Sequence, residues 1–283
     1  MVLGAECVYR DLDIELVEHG DKADLIAIGG SGGMVEGMGA IPAVLKRCSQ
    51  QWPDKPLVVL PSTYYYPTRP FAEEIGDRTG PVTLFCREAY SYGHLCHEHS
   101  FPDNCQIELD HDMAFHLASS PFVKRFSAME PRHILIVERT DVEHHQIAMN
   151  HKNLKWRKRA GKLLGRRGKK LLYPLVNIIR GQRRTGFRNQ CENLLAEHHP
   201  DLCGLPRLAR DVSNVNANSF EEFEKAIGYA AVVFTTRLHV GILAAMLERP
   251  TFIFGGPYHK IKGVFTFSLS SRRHVLYFEP SAE

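Results

Sequence analysis

Short apolar runs, each closing on a polar or glycine-rich tip, recur along this chain and predict its organisation. Asp24-Leu-Ile-Ala-Ile-Gly29 runs into Gly30-Ser-Gly-Gly33, and Lys55-Pro-Leu-Val-Val-Leu-Pro-Ser62 runs into Thr63-Tyr-Tyr-Tyr-Pro67. Pro81-Val-Thr-Leu-Phe-Cys86 meets Arg87-Glu88, and Cys105-Gln-Ile-Glu-Leu109 meets Asp110-His-Asp112. Each run has the length and β-branched content of a buried strand. Residues between them, such as 41–50, read as helix. Strands alternating with helical segments predict an α/β lobe with a mostly parallel sheet. That lobe is expected to span residues 1–128, ending before Pro131.

A second lobe, residues 129–283, opens on the strand His133-Ile-Leu-Ile-Val137. Ser219 followed three residues later by Glu222 has the form of a capping box and predicts a helix start. Ala230-Ala-Val-Val-Phe234 is the next strand, and Arg237 and His239 stand where it ends. Val240 to Leu247 is helix-forming and apolar on most sides. Pro250 stops it, and Thr251-Phe-Ile-Phe254 is a strand running into Gly255-Gly-Pro-Tyr-His259-Lys260. His274 to Phe278 is a final short strand. In an open parallel sheet, tips such as these lie at the carboxyl edge, where ligands bind. The two adjacent tips are therefore expected to aim Arg237, His239, His259 and Lys260 at one crevice suited to a carboxylate or phosphate.

Charge changes this picture in one place. The formal net charge is only +3, but residues 152–188 hold 14 Lys or Arg and no Asp or Glu, so the remainder is net acidic. Leu164, Leu171, Leu175 and Ile178 recur at helical spacing within this block, interrupted by Pro174. A basic amphipathic helical insertion at about 150–190 fits an anionic membrane surface or an anionic acceptor, with a solvated arm as the plainer reading. Nucleic acid is not expected, because the block lacks the aromatic interleaving of nucleic-acid modules. No apolar run approaches the ~20 residues of a membrane helix, and the N-terminus lacks the order of a secretory signal. Seven scattered cysteines fit reduced thiols better than a disulfide framework. The expected compartment is the cytoplasm, extending to the inner face of the cytoplasmic membrane.

Other candidate chemistry is weaker. Gly29 and Gly30 open either a backbone nest facing a ligand or a tight turn. The spacing is not that of a dinucleotide-binding loop, and no P-loop lysine follows. Three consecutive tyrosines, 64–66, offer either a sugar-stacking platform or partly buried packing. Arg87 is either a ligand clamp or the partner of Glu88 or another carboxylate. His94, His97 and His99 lack common zinc spacing, so no metal is expected; His144, His145, His198 and His199 read as surface histidines.

Thr236-Arg-Leu-His-Val-Gly-Ile-Leu-Ala-Ala-Met-Leu-Glu-Arg-Pro250, with Tyr258-His-Lys260 downstream, resembles the polysaccharide pyruvyltransferases. Ile28-Gly-Gly30, Arg87-Glu88 and Asp112-Met-Ala-Phe115 are weaker matches. The glycine turn, the short N-terminal region and the long basic block depart from the family pattern. The resemblance implies two Rossmann-like lobes, similar to a GT-B glycosyltransferase, with the active site in the interlobe cleft. It implies phosphoenolpyruvate as donor and a sugar diol as acceptor, with a lipid-linked glycan as one form, and no cofactor. His239 would be the general acid, or would protonate the leaving phosphate. Arg237 and Lys260 would hold phosphate and Arg87 the carboxylate, with His259, Gly29 and Gly30 also lining the substrate. The rivals are a GT-B glycosyltransferase using a nucleotide sugar and a non-catalytic membrane-associated scaffold.

Overall fold

The computed structural model describes residues 22–37, 40–98, 101–139, 185–212 and 218–279. The basic block up to residue 184 lies outside them, as do His99, His144 and His145. The chain divides into two compact units: residues up to Met113 with Gly263–Ser268, and Ala114–Lys262 with the residues from Leu269 on.

In the first unit, β1 (Ile26–Ile28), β3 (Leu57–Ser62), β5 (Val82–Cys86) and β6 (Cys105–Leu109) form one parallel sheet in that order. β2 (Met34–Val35) and β4 (Tyr64–Tyr65) pair separately, also in parallel. Parallel strands need crossovers, supplied by α1 (Ala40–Gln51), α2 (Ala72–Ile75) and α3 (Ala89–Cys96). Inward residues of alternate strand positions, including Leu57, Val59, Val82 and Leu84, are buried with Leu45, Trp52 and Leu95 from the helices. Gly80 is one position where only glycine fits: a Cβ there would strike the backbone of Asp54 and Lys55.

The second unit holds a five-stranded parallel sheet ordered β11-β10-β9-β7-β8. These are β7 (His133–Val137), β8 (Arg207–Ala209), β9 (Ala230–Thr235), β10 (Thr251–Phe254) and β11 (Val275–Phe278). In chain order this is 2-1-3-4-5, a doubly wound arrangement that reverses direction between β7 and β9. The helices are α4 (Pro121–Ser127), one over residues 185–198 (α5), α6 (Phe220–Gly228), α7 (Leu238–Met246) and α8 (Lys260–Val264). β9 and β10 are buried throughout, as their uninterrupted apolar sequences require. The capping box at Ser219 is present, with Glu222 returning a bond to the Ser219 backbone. α7 ends where Glu248 takes a left-handed φ of 56° ahead of Pro250. The segment 114–128 packs within this unit, where Phe126 meets Tyr229 edge-on and Arg249 donates to the Phe126 carbonyl.

The observed architecture is thus mixed α/β with parallel sheets in both units. β8 and the π-turn Phe265–Leu269 have no counterpart in the sequence reading. His198 is exposed, as expected, and His199 is half-buried; their rings lie 5.3 and 6.0 Å from that of Phe252. His133, the first residue of β7, bonds the Ala226 carbonyl through Nε2 at 2.8 Å. Burial lowers its pKa below the ordinary histidine value, outweighing that bond, and burial likewise lowers His199. The folded state thus disfavours the imidazolium, and the unfolded chain takes up protons first. The stability these groups contribute is present above the ordinary pKa of about 6.5 and is lost as pH falls through the folded values. The thermal midpoint is therefore expected to fall between about pH 7.5 and 5.5, less so in His133→Gln. A midpoint that rises on acidification, or the same slope in the variant, would contradict this.

Candidate active site

In the first unit the strand ends gather Gly29–Gly33, Ser62–Thr63, Arg87–Glu88 and Asp110–Asp112 at one sheet edge. Gly29 and Gly30 are exposed after β1. A Cβ on Gly30 would lie 2.7 Å from the Pro61 carbonyl oxygen, so the close approach there requires glycine. Much of this turn is committed internally: Ser31 N–H donates to Ser62 Oγ at 3.1 Å, and Gly33 N–H to Ser31 Oγ at 3.0 Å. Thr63 N–H donates to the Ser31 carbonyl. The tight-turn reading therefore accounts for Ser31 and Gly33.

Arg87 is 1% exposed, and its carboxylate partner is Asp112 rather than Glu88. Nη1 donates to Asp112 Oδ2 at 2.6 Å, and Nε to Thr63 Oγ1 at 2.8 Å. Glu88 instead caps α3, accepting from the Ser91 backbone N–H and hydroxyl. Its carboxylate lies close against Gly263, where a Cβ would come within 2.7 Å of Oε2. Tyr64 and Tyr66 are buried and pack edge-on against Phe71, each at 4.9 Å, which removes both from a sugar platform. Tyr65 is half-buried. Burial pushes the Cys105 thiol up to about 12 and raises Cys86 as well, so neither is a thiolate nucleophile near neutrality. Among the described residues no three His, Cys, Asp or Glu side chains are grouped to hold a metal ion.

The second unit carries the other candidates on the carboxyl edge of its sheet. Thr236 N–H bonds the Val137 carbonyl at 3.0 Å, and Arg139 N–H donates to Thr236 Oγ1 at 2.7 Å. These bonds stitch the tips of β9 and β7 together at the point where strand order reverses. Arg237 follows directly, reaching over the end of β7 to Asp211 beyond β8, a span of about two strand spacings, ~10 Å. Its Nε bonds Asp211 Oδ1 at 3.1 Å, and Nη2 bonds Oδ2. The two side chains are 16% and 7% exposed. A side-on, two-point grip of this kind fixes the guanidinium plane.

His239 sits in the first turn of α7, and every other residue of that helix is buried. A helix apolar on all sides belongs in a core, so the one exposed position, at the sheet's carboxyl edge, stands out. Beyond β10, His259 lies beside Tyr258 with ring centroids 5.7 Å apart, and Lys260 begins α8 with Nζ 6.0 Å from the Tyr258 ring. Arg237, His239, His259 and Lys260 thus follow two adjacent strands of one sheet, whereas Arg87, Gly29 and Gly30 belong to the other unit. Asp211, Asp112 and Thr63 were not singled out as ligand-site residues from sequence. Only the tertiary pairing reveals them.

In a doubly wound parallel sheet the strand tips at the order reversal lie at the carboxyl edge, the edge where ligands bind in open α/β sheets, and Arg237 and His239 follow β9 there. More particularly, the family model for polysaccharide pyruvyl transferase matches residues 7–256, and the chain belongs to that family, a transferase family acting on polysaccharide. No curated protein shows a significant match to the chain. A functionally uncharacterised crystal structure from Klebsiella pneumoniae subsp. pneumoniae NTUH-K2044 is similar at 19% identity, covering 90% of this chain and 75% of that one with a TM-score of 0.48. Among the described residues no helix is long and apolar enough to cross a membrane.

Proposed function

We propose that this protein transfers the pyruvyl group of phosphoenolpyruvate to two hydroxyls of a glycan sugar, forming a pyruvate ketal in exopolysaccharide or cell-envelope polysaccharide synthesis. The observation that carries the reading is the tip after β9. Arg237 is gripped by Asp211, and His239 is the one exposed residue of α7, both beside the reversal between β7 and β9. Membership of the family supplies the reaction class.

In the reaction, two C–O bonds form at C2 of the donor and its C–O bond to phosphate breaks. Of the two hydroxyl protons released, one ends on the former methylene carbon and the other on phosphate. His239 supplies the proton, either to that carbon or to the leaving phosphate, a task suited to a group whose ordinary pKa is about 6.5. Arg237 and Lys260 hold the phosphate, Arg87 the carboxylate, and His259, Gly29 and Gly30 line the substrate. Arg suits paired contacts to planar oxyanions, whereas Lys adds a point charge. On this reading the two units act as Rossmann-like lobes of a GT-B-like enzyme with the substrate in the cleft between them. The acceptor is a polymeric or lipid-linked glycan at the cytoplasmic face of the membrane, and residues 152–188 attract the anionic surface.

Incubation with phosphoenolpyruvate and a panel of lipid-linked and free glycans tests this. Phosphate release accompanied by a pyruvate ketal on one acceptor is expected. Transfer of a sugar from a nucleotide donor, with no ketal formed, would refute it.

A further inference from the structure

We infer that Thr63 and Asp112 are positioning residues, which grip Arg87 by Nε and Nη1 so that Nη2 is left to meet a carboxylate oxygen of the substrate; the identity of that substrate rests on the reading above. The three residues come from the ends of three neighbouring strands, β3, β5 and β6. All are buried, at 0% exposure for Thr63, 1% for Arg87 and 3% for Asp112. The two contacts, at 2.8 and 2.6 Å, engage two of the three guanidinium nitrogens. Because the group is rigid and planar, fixing two nitrogens fixes the third.

Nη2 is buried with no hydrogen-bond partner among the described residues. A buried cationic donor left without an acceptor is costly, and native interiors rarely contain one. The glycine turn over the same strand ends approaches closely: a Cβ on Gly30 would sit 3.2 Å from Cγ of Met113, the residue after Asp112. No described residue supplies the acceptor that Nη2 lacks. A substrate carboxylate supplies it. Asp112 also balances the charge of Arg87, so the pair acts as a directed donor rather than a net cation. Net attraction for a multiply charged donor then falls to Lys260 and the histidines of the second unit.

Thr63→Val removes the acceptor at Nε while keeping side-chain volume, and Thr63→Ser keeps the hydroxyl. Calorimetric titration of the full chain with phosphoenolpyruvate, and separately with inorganic phosphate, reads the effect. Thr63→Val is expected to weaken phosphoenolpyruvate binding about tenfold, the loss for one misdirected charge-assisted hydrogen bond. Phosphate affinity should stay unchanged, and Thr63→Ser should bind like wild type. In an Arg87→Lys background, Thr63→Val should add nothing, because the effect passes through Nε of Arg87. Should Thr63→Val fail to fold, Thr63→Ala, which also removes the acceptor at Nε, carries the same comparison. Wild-type affinity in a folded variant, or equal loss of phosphate and phosphoenolpyruvate binding, overturns the positioning role alone. Wild-type protein that binds no phosphoenolpyruvate overturns the functional reading itself.

Discussion

His239→Ala is expected to release phosphate from phosphoenolpyruvate about 10²–10⁴ times more slowly than wild type, the range for losing a positioned general acid. Its folding should change little, because the side chain is exposed and surface substitutions usually cost within ~0.5 kcal/mol. The contrast is diagnostic. Residues on either side of His239, Leu238 and Val240, are buried, and replacing them would lower activity through packing. A His239→Ala protein that unfolds at the wild-type temperature yet turns over at the wild-type rate would remove His239 from the chemistry.

Asp112→Ala should have the opposite profile, with a large effect on stability. It strands the Arg87 guanidinium in the interior, where Nη2 already lacks a partner among the described residues. Removing one member of a buried ion pair costs about 3–5 kcal/mol. That corresponds to a fall of roughly 6–20 °C in the unfolding midpoint for a protein of this size. Replacing both members, as Arg87→Met with Asp112→Leu, removes the uncompensated charge and should recover most of the lost midpoint. The same double variant should still fail to bind phosphoenolpyruvate. If it bound normally, Arg87 would be a structural ion pair and nothing more.

These two residues also show what was readable in the chain and what was not. β9 and β10 were plain because both are uninterrupted apolar runs bounded by polar tips, and Ser219 with Glu222 announced α6 through purely local bonds. Arg237 and His239 could be placed at a strand end for the same reason. Their environment could not. Asp211 stands 26 residues before Arg237, and Asp112 stands 25 after Arg87, so each pairing exists only once the strands are ordered in a sheet. β8 escaped notice because Arg207-Leu-Ala209 is short and only partly covered, so it carries little hydrophobic signal. Tyr64 and Tyr66 alternate along the chain and both lie against Phe71, while Tyr65 is half-buried. Their burial follows from that period of two, yet sequence alone left open which tyrosines would be covered. The order reversal between β7 and β9, which singles out the Arg237 tip, depends on β8 and was therefore hidden with it.

The central claim is that the Arg237 and His239 tip serves phosphoenolpyruvate rather than a nucleotide sugar, and direct binding tests it without any acceptor in hand. Calorimetric titration of the intact protein with phosphoenolpyruvate, and separately with uridine and guanosine diphosphates, compares the two donor classes. The account predicts saturable phosphoenolpyruvate binding that Arg237→Ala abolishes, with no comparable binding of either nucleotide. Tight nucleotide binding with none of phosphoenolpyruvate would contradict it.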